Sequence, residues 1–91
     1  KEETKQTLHK EVIIMIIKNV MLHSAEDLRQ FMYQAMQSSE DIGVHTADGK
    51  IADAKSILGL MALDYTKPVK VVTEDSTFIK HISQWIGNDP E

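Results

Sequence analysis

The segment 48–63 constrains the fold most, because it combines signals for a turn, a strand and a helix. Asp48-Gly49 predicts a tight turn, since glycine adopts a positive φ at no steric cost. Ser56 can accept a hydrogen bond from a free backbone N–H group, which predicts a short helix over about 56–63. Gly59 lowers the helix propensity by about 1 kcal/mol relative to alanine, so we expect it to allow a close approach. The segment favours a domain that mixes strands and helices.

The first apolar segment, Val12 to Ile17, is a continuous run rich in β-branched residues and predicts a strand. Both faces of this strand are apolar. One interpretation is a central strand that helices cover on one side and that stays partly exposed on the other. The alternative is that a partner, such as a second copy of the chain, covers the second face.

The other elements follow from caps and periodicity. Ser24 predicts the N-cap of a helix, and Asp75 or Ser76 that of a final helix, with Gly87 as its C′ residue. Strands are predicted over 41–46, 50–53 and 69–72, with a loop over 19–23. The order β-α-β-β-α-β-α predicts an α+β fold, with one four-stranded, mainly antiparallel sheet and helices on one face. The predicted buried stripes are Leu28, Phe31, Met32 and Ala35 in the first helix and Phe78, Ile79, Ile82, Trp85 and Ile86 in the last.

Length and composition limit the function classes. The 91 residues predict one domain over 11–87, a flexible lead-in over 1–10 and a tail over 88–91. A formal net charge of −4 argues against a nucleic-acid partner, because phosphate contacts need a basic surface. The longest apolar run is too short to span a bilayer, and the first ten residues are polar, so we expect a cytoplasmic protein with no membrane contact.

Catalytic and metal-binding motifs do not emerge from the residue pattern. The chain has no cysteine, and its histidines lack the spacing of metal ligands. A glycine-rich phosphate loop and a nucleophile elbow are also missing. We therefore expect no metal, no cofactor and no enzymatic activity. The four histidines are His9, His23, His45 and His81.

The residues of the central segment resemble those of a known family. Gly49-Lys50, Ala54-Lys55-Ser56-Ile57 and the run 59–63 are similar to the region around the regulatory serine of HPr, the histidine-containing phosphocarrier of the bacterial sugar phosphotransferase system. The resemblance implies the open-faced β-sandwich of that family, which agrees with the predicted order of elements.

The same resemblance implies an altered phosphoryl-acceptor site. HPr proteins carry the phosphoryl group on a histidine just before the first helix, followed by a small residue, an arginine and a proline. An ungapped alignment of the buried stripe puts Ser24 at the histidine position, Glu26 at the arginine and Asp27 at the proline. At about 4 Å each like-charge contact costs about 1 kcal/mol in water, so the carboxylates oppose a phosphoryl group. His23, one residue earlier, is the alternative acceptor. The simpler interpretations are that His23 is an ordinary loop residue and Ser24 only a helix cap.

Ser56 is the second candidate site. In HPr proteins of Gram-positive type a dedicated kinase phosphorylates the serine at this position, and the phosphoserine form docks on a transcriptional regulator. The resemblance makes Ser56 a regulatory phosphorylation site and Ile57, Leu58 and Met61 a docking patch. The alternative is that Ser56 only caps its helix and that the three apolar residues belong to the core.

These observations lead to one expectation and two alternatives. We expect an HPr-like regulatory or protein-binding domain that has lost phosphohistidine chemistry and contacts a phosphotransferase-system enzyme or a transcriptional regulator. The first alternative is a working phosphocarrier that uses His23. The second is a structural module that forms a homodimer through its apolar first strand.

Overall fold

A computed structural model describes residues 14–87 of the chain. The predicted lead-in over 1–10 and the tail over 88–91 lie outside these residues. The elements follow the predicted order, with a single 3₁₀ turn, Ser83–Trp85, after the last helix. They are β1 (Ile16–Val20), α1 (Ala25–Met36), β2 (Ile42–His45), β3 (Ile51–Asp53), α2 (Ile57–Met61), β4 (Val69–Thr73) and α3 (Ser76–His81).

The four strands form one sheet in the order β1-β4-β2-β3, and each neighbouring pair is antiparallel. One row across the sheet joins Val20 to Val69, and another joins Lys18, Val71, Val44 and Ala52. The β4 residues of these rows are buried under the helices. The predicted α+β fold with a four-stranded antiparallel sheet is confirmed.

The prediction for the first strand is wrong in its limits and its place. Val12 and Ile13 lie outside the described residues, and the strand runs through Asn19 to Val20, where a loop was expected. It is an edge strand rather than a central one, because it pairs with β4 alone among the named strands. Val20 is fully buried, and it lies opposite Val69 in the register. The limits of a strand depend on its partner, which an apolar run does not reveal.

The core lies between the sheet and the helices. Phe31 of α1 is fully buried, with its ring edge-on to Phe78 at 5.6 Å and to Trp85 at 6.3 Å between centroids. Such edge-to-face pairs contribute about 0.5–1.5 kcal/mol beyond area burial. The buried stripe predicted for α1 is confirmed, since Ala35 is also buried and its other members pack against the core.

Gly87 does not have the predicted role of a C′ residue. Helix α3 ends at His81 with Ile82 as its C-cap, and the positive-φ glycine among residues 14–87 is Gly49, at 93°. The Gly87 N–H instead donates to the Asn19 carbonyl at 3.0 Å, which ties the end of the described chain to β1.

The central segment folds as its residues predict. Gly49 closes the turn between β2 and β3, where Thr46 N–H donates to the Lys50 carbonyl at 2.9 Å. Gly59 lies close to β3, since a Cβ atom on it would be 3.4 Å from the Cβ of Ala52. Helix α2 therefore packs directly against the edge of the sheet.

Candidate functional site

Two side chains, those of Ser24 and Asp27, accept backbone N–H groups at the start of α1. Ser24 has extended backbone angles and its hydroxyl accepts the Asp27 N–H at 3.0 Å, as expected of an N-cap. The Asp27 carboxylate in turn accepts the His23 N–H at 3.0 Å. The arrangement resembles a capping box, but the returning carboxylate binds the residue before the cap.

A second carboxylate lies in the same helical turn. Glu26 is exposed and forms an ion pair with Arg29, while its other oxygen accepts from Gln30 Nε2 at 2.8 Å. The first turn of α1 thus carries two acidic side chains. Among residues 14–87, the cation paired with them is Arg29, which lies one turn further along the helix and contacts Glu26. Backbone N–H groups that have no intrahelical partner remain at Ala25 and Glu26.

His23 and Ser24 border a shallow depression on the surface. His23 is exposed, and the structure brings it beside the N–H groups at the helix start. The other lining residues come from the end of the β1 connection, from the first turn of α1 and from the loop before β4. They are Met21, Leu22, Ala25, Leu28, Tyr65 and Thr66.

Tyr65 also lines this depression, although the residue pattern did not predict it as part of a site. Its hydroxyl donates to the Leu60 carbonyl at 2.5 Å, so it satisfies a carbonyl in the last turn of α2. Burial raises the pKa of Tyr65 to about 12. The only signal in the sequence was an aromatic residue in an otherwise polar loop.

The second candidate site lies on α2. The Ser56 hydroxyl accepts the Gly59 N–H at 3.2 Å, which confirms Ser56 as the N-cap. Leu58 and Met61 are 80% and 65% exposed, and Ile57 is 43% exposed. The interpretation that these three residues form core is therefore wrong. Leu60 is the α2 side chain that fills the interior.

Among residues 14–87, no three histidine, aspartate or glutamate side chains converge in a way that would hold a metal ion. Over the same residues, no helix has the length and apolar character needed to cross a bilayer.

Comparison with known proteins identifies a fold. Neither the protein-family models nor the curated proteins contain a match to this chain. Among solved structures, the phosphocarrier protein HPr from Bacillus anthracis superimposes with a TM-score of 0.64 at 24% sequence identity, over 80% of this chain and 98% of that one. The described part of the chain therefore has the open-faced sandwich fold of HPr.

Proposed function

We propose that this protein is an HPr-like protein-binding domain that does not carry a phosphoryl group on histidine. The observation that supports the proposal best is the Asp27 carboxylate, which lies 3.0 Å from the His23 backbone nitrogen at the start of α1. A residue that accepts a phosphoryl group at the start of α1 needs a positive electrostatic potential around it. Here the sequence supplies Asp27 and Glu26 instead.

The electrostatic argument concerns the charge that a phosphoryl group would bring. A phosphorylated side chain carries about −1.5 to −2 charges near neutral pH. The helix N-terminus offers only about half a positive charge against two carboxylates. Arg29 offsets the charge of Glu26 through its ion pair, but the full negative charge of Asp27 remains and exceeds the partial positive charge of the helix N-terminus. The net potential at the depression therefore opposes an anion.

The positive part of the proposal is a docking surface on α2. Ile57, Leu58 and Met61 project from a helix that begins at the exposed Ser56. By its resemblance to HPr, we infer a bacterial, cytoplasmic protein whose partners are a phosphotransferase-system enzyme or a transcriptional regulator of carbon metabolism. Phosphate on Ser56 would create new charge-assisted contacts for such a partner.

The main experiment is phosphoryl transfer from phosphoenolpyruvate by the first enzyme of the sugar phosphotransferase system. The HPr protein of Bacillus anthracis serves as the positive control. We expect intact-mass measurement to find no acid-labile phosphate on this chain. Acid-labile phosphate on His23 would overturn the proposal.

The alternative is a phosphocarrier that uses His23, and one observation favours it. His23 lines the same depression as Ala25, the first residue of α1, so it lies at the helix start. This alternative predicts that His23→Ala abolishes transfer and that Ser24→Ala retains it. The opposite pattern would assign the phosphoryl group to Ser24.

The role of Ser56 is tested by binding rather than by transfer. The binding partner is a purified regulator of the type that recognises phosphorylated HPr. We expect the Ser56→Asp variant to bind this regulator more tightly than the Ser56→Ala variant does. Leu58→Ser in the Ser56→Asp background should remove this binding. Equal binding by all three variants would refute the docking surface while leaving the phosphoryl-transfer result untouched. A role in self-association is a separate proposal that depends on β1.

A further inference from the structure

The outer edge of β1 is paired over only part of its length. At its C-terminal end, Met21 N–H donates to the Trp85 carbonyl at 2.9 Å, and the Asn19 carbonyl accepts from Gly87 N–H at 3.0 Å. The Asn19 carbonyl therefore points away from β4. Because backbone groups alternate along an antiparallel strand, those of Ile17 point outward too. No residue within 14–87 pairs with this edge before Asn19.

The side chains at the same edge are apolar and exposed. Ile14, Met15 and Ile17 are 71%, 56% and 57% exposed. Lys18 is the only charged residue of the stretch 14–18. Natural sheets usually shield an edge with short strands, charges or bulges, and this edge has little of that protection.

The opposite edge of the sheet is different. Strand β3 has only three residues, and it ends at the charged Asp53. Lys50 precedes it directly. A short edge flanked by charges offers a poor template for another strand. The two edges of one sheet are therefore unequal, and the edge of β1 is the better template for another strand.

We propose that two copies of this chain associate through the stretch 14–18, antiparallel, so that their sheets join into one. The two-fold axis passes beside Ile16, which places Met15 of one copy opposite Ile17 of the other. Strand β1 extends by one residue to include Met15 on association, and the backbone groups of Met15 and Ile17 then form the hydrogen bonds of the new ladder. Their side chains gather on the open face of the sheet, next to the half-buried Val72, which lies opposite Ile17.

A second copy fits this edge because the stretch is complementary to itself. With the axis at Ile16, Lys18 lies opposite Ile14 of the partner copy, so no two like charges meet. An axis at Lys18 would oppose two cations and would overlap Gly87, which already occupies the edge at Asn19. The unpaired part of the described β1 edge therefore favours the register with the two-fold axis at Ile16.

The size of this contact sets the expected affinity. Three partly exposed apolar side chains and a short ladder from each copy bury on the order of several hundred Å² in total, well below the roughly 1,600 Å² of a standard stable interface. We therefore expect a weak dimer, with a dissociation constant of roughly 10 μM to 1 mM.

Cysteine cross-linking tests the register directly, since the chain has no cysteine of its own. Under mild oxidation, Ile16→Cys should form a disulfide-linked dimer at least about tenfold faster than Ile51→Cys on the opposite edge, because Ile16 meets its own counterpart at a distance suited to a disulfide. A mixture of Ile14→Cys and Lys18→Cys should give the mixed dimer faster than either variant forms its own. Equal rates for Ile16→Cys and Ile51→Cys would overturn the proposal.

Sedimentation velocity of edge variants gives an independent test. Ile17→Pro removes an outward N–H that β4 does not use, so the fold should survive, since proline is tolerated on edge strands. The wild type and the control Ile17→Val should show concentration-dependent association over roughly 10 μM to 1 mM, and Ile17→Pro should stay monomeric. Circular dichroism confirms that each variant is folded. A wild type that stays monomeric throughout refutes the proposal, and so does a folded Ile17→Pro that still associates.

Discussion

Replacing Asp27 with asparagine removes one negative charge at the start of α1 and keeps an oxygen that can accept the His23 N–H. In the wild type this hydrogen bond is 3.0 Å long. The substitution therefore separates the charge of Asp27 from its role as a cap. If the carboxylates are the obstacle to phosphoryl chemistry, Asp27→Asn must make His23 easier to phosphorylate.

The expected magnitude follows from Coulomb's law. For a dianionic phosphoryl group placed about 6 Å from the Asp27 carboxylate, Coulomb's law gives a repulsion of about 1.4 kcal/mol in water and several times more near a protein surface. A free energy of 1.4 kcal/mol corresponds to about a tenfold change in equilibrium constant. The loss of a carboxylate from the first helical turn should cost about 0.3–1 kcal/mol of stability, which lowers Tm by a few degrees.

The assay should avoid any dependence on enzyme docking. Phosphoramidate phosphorylates imidazole rings directly, and peptide mass spectrometry then reports the occupancy of each histidine. The exposed His81 is an internal reference in the same molecule. We expect Asp27→Asn to raise the ratio of His23 to His81 occupancy at least about tenfold, in line with the repulsion removed.

A matched control removes a charge at the other end of the same helix. Glu40 is exposed beyond the C-terminus of α1, which is about 18 Å long for its 12 residues. Glu40→Gln should leave the ratio unchanged. An unchanged ratio in Asp27→Asn would show that the carboxylate does not govern the site, and the electrostatic reasoning would fail.

Three other predictions concern stability. Tyr65→Phe should cost about 1 kcal/mol by removing the hydrogen bond to the Leu60 carbonyl. Because the folded pKa of Tyr65 is raised to about 12 from 10.0, the stabilisation should be complete below pH 10 and lost between pH 10 and 12 in thermal melts. The Ser38 hydroxyl donates to the Asp75 carboxylate at 2.5 Å, and this hydrogen bond is the largest cause of the lowered Asp75 pKa. The stability that the ionised Asp75 contributes should therefore be present above the ordinary pKa of 3.8 and be lost as the pH falls below it. Asp75→Asn should weaken this acid dependence of stability in urea titrations. Leu58→Ser should change the free energy of unfolding by less than about 0.5 kcal/mol, because its side chain is 80% exposed, and a larger loss in chemical denaturation would show a structural role.

The parts of the fold that local chemistry controls could be predicted from the sequence. The Ser24 and Ser56 caps follow from the capping chemistry of serine, and the turn at Gly49 follows from glycine's access to positive φ. These features need only a few neighbouring residues. The antiparallel sheet then followed from the order of the elements.

The parts that depend on distant partners could not be predicted. Asn19 and Val20 belong to β1 because they pair with β4, which lies about 50 positions later in the chain. Asn19, for example, lies opposite Lys70. Gly87 pairs with the same strand instead of ending a helix. A helix of five residues is likewise too short for its apolar period to separate Leu58 on the surface from Leu60 in the core.

The exposed patch on α2 also limits how the proposed docking can work. Ile57, Leu58 and Met61 expose roughly 350 Å² of apolar surface together, and its burial at about 25 cal/mol per Å² gives about 9 kcal/mol before any cost is subtracted. Losing the free translation and rotation of a partner costs about 4–15 kcal/mol, so the patch alone supports only weak association. A phosphate on the adjoining Ser56 adds charge-assisted hydrogen bonds of about 1.5–3 kcal/mol each, and two of them would raise affinity by roughly a hundredfold or more. If Ser56 is phosphorylated as proposed, a weak apolar surface beside it is therefore better suited to conditional binding than to a permanent complex.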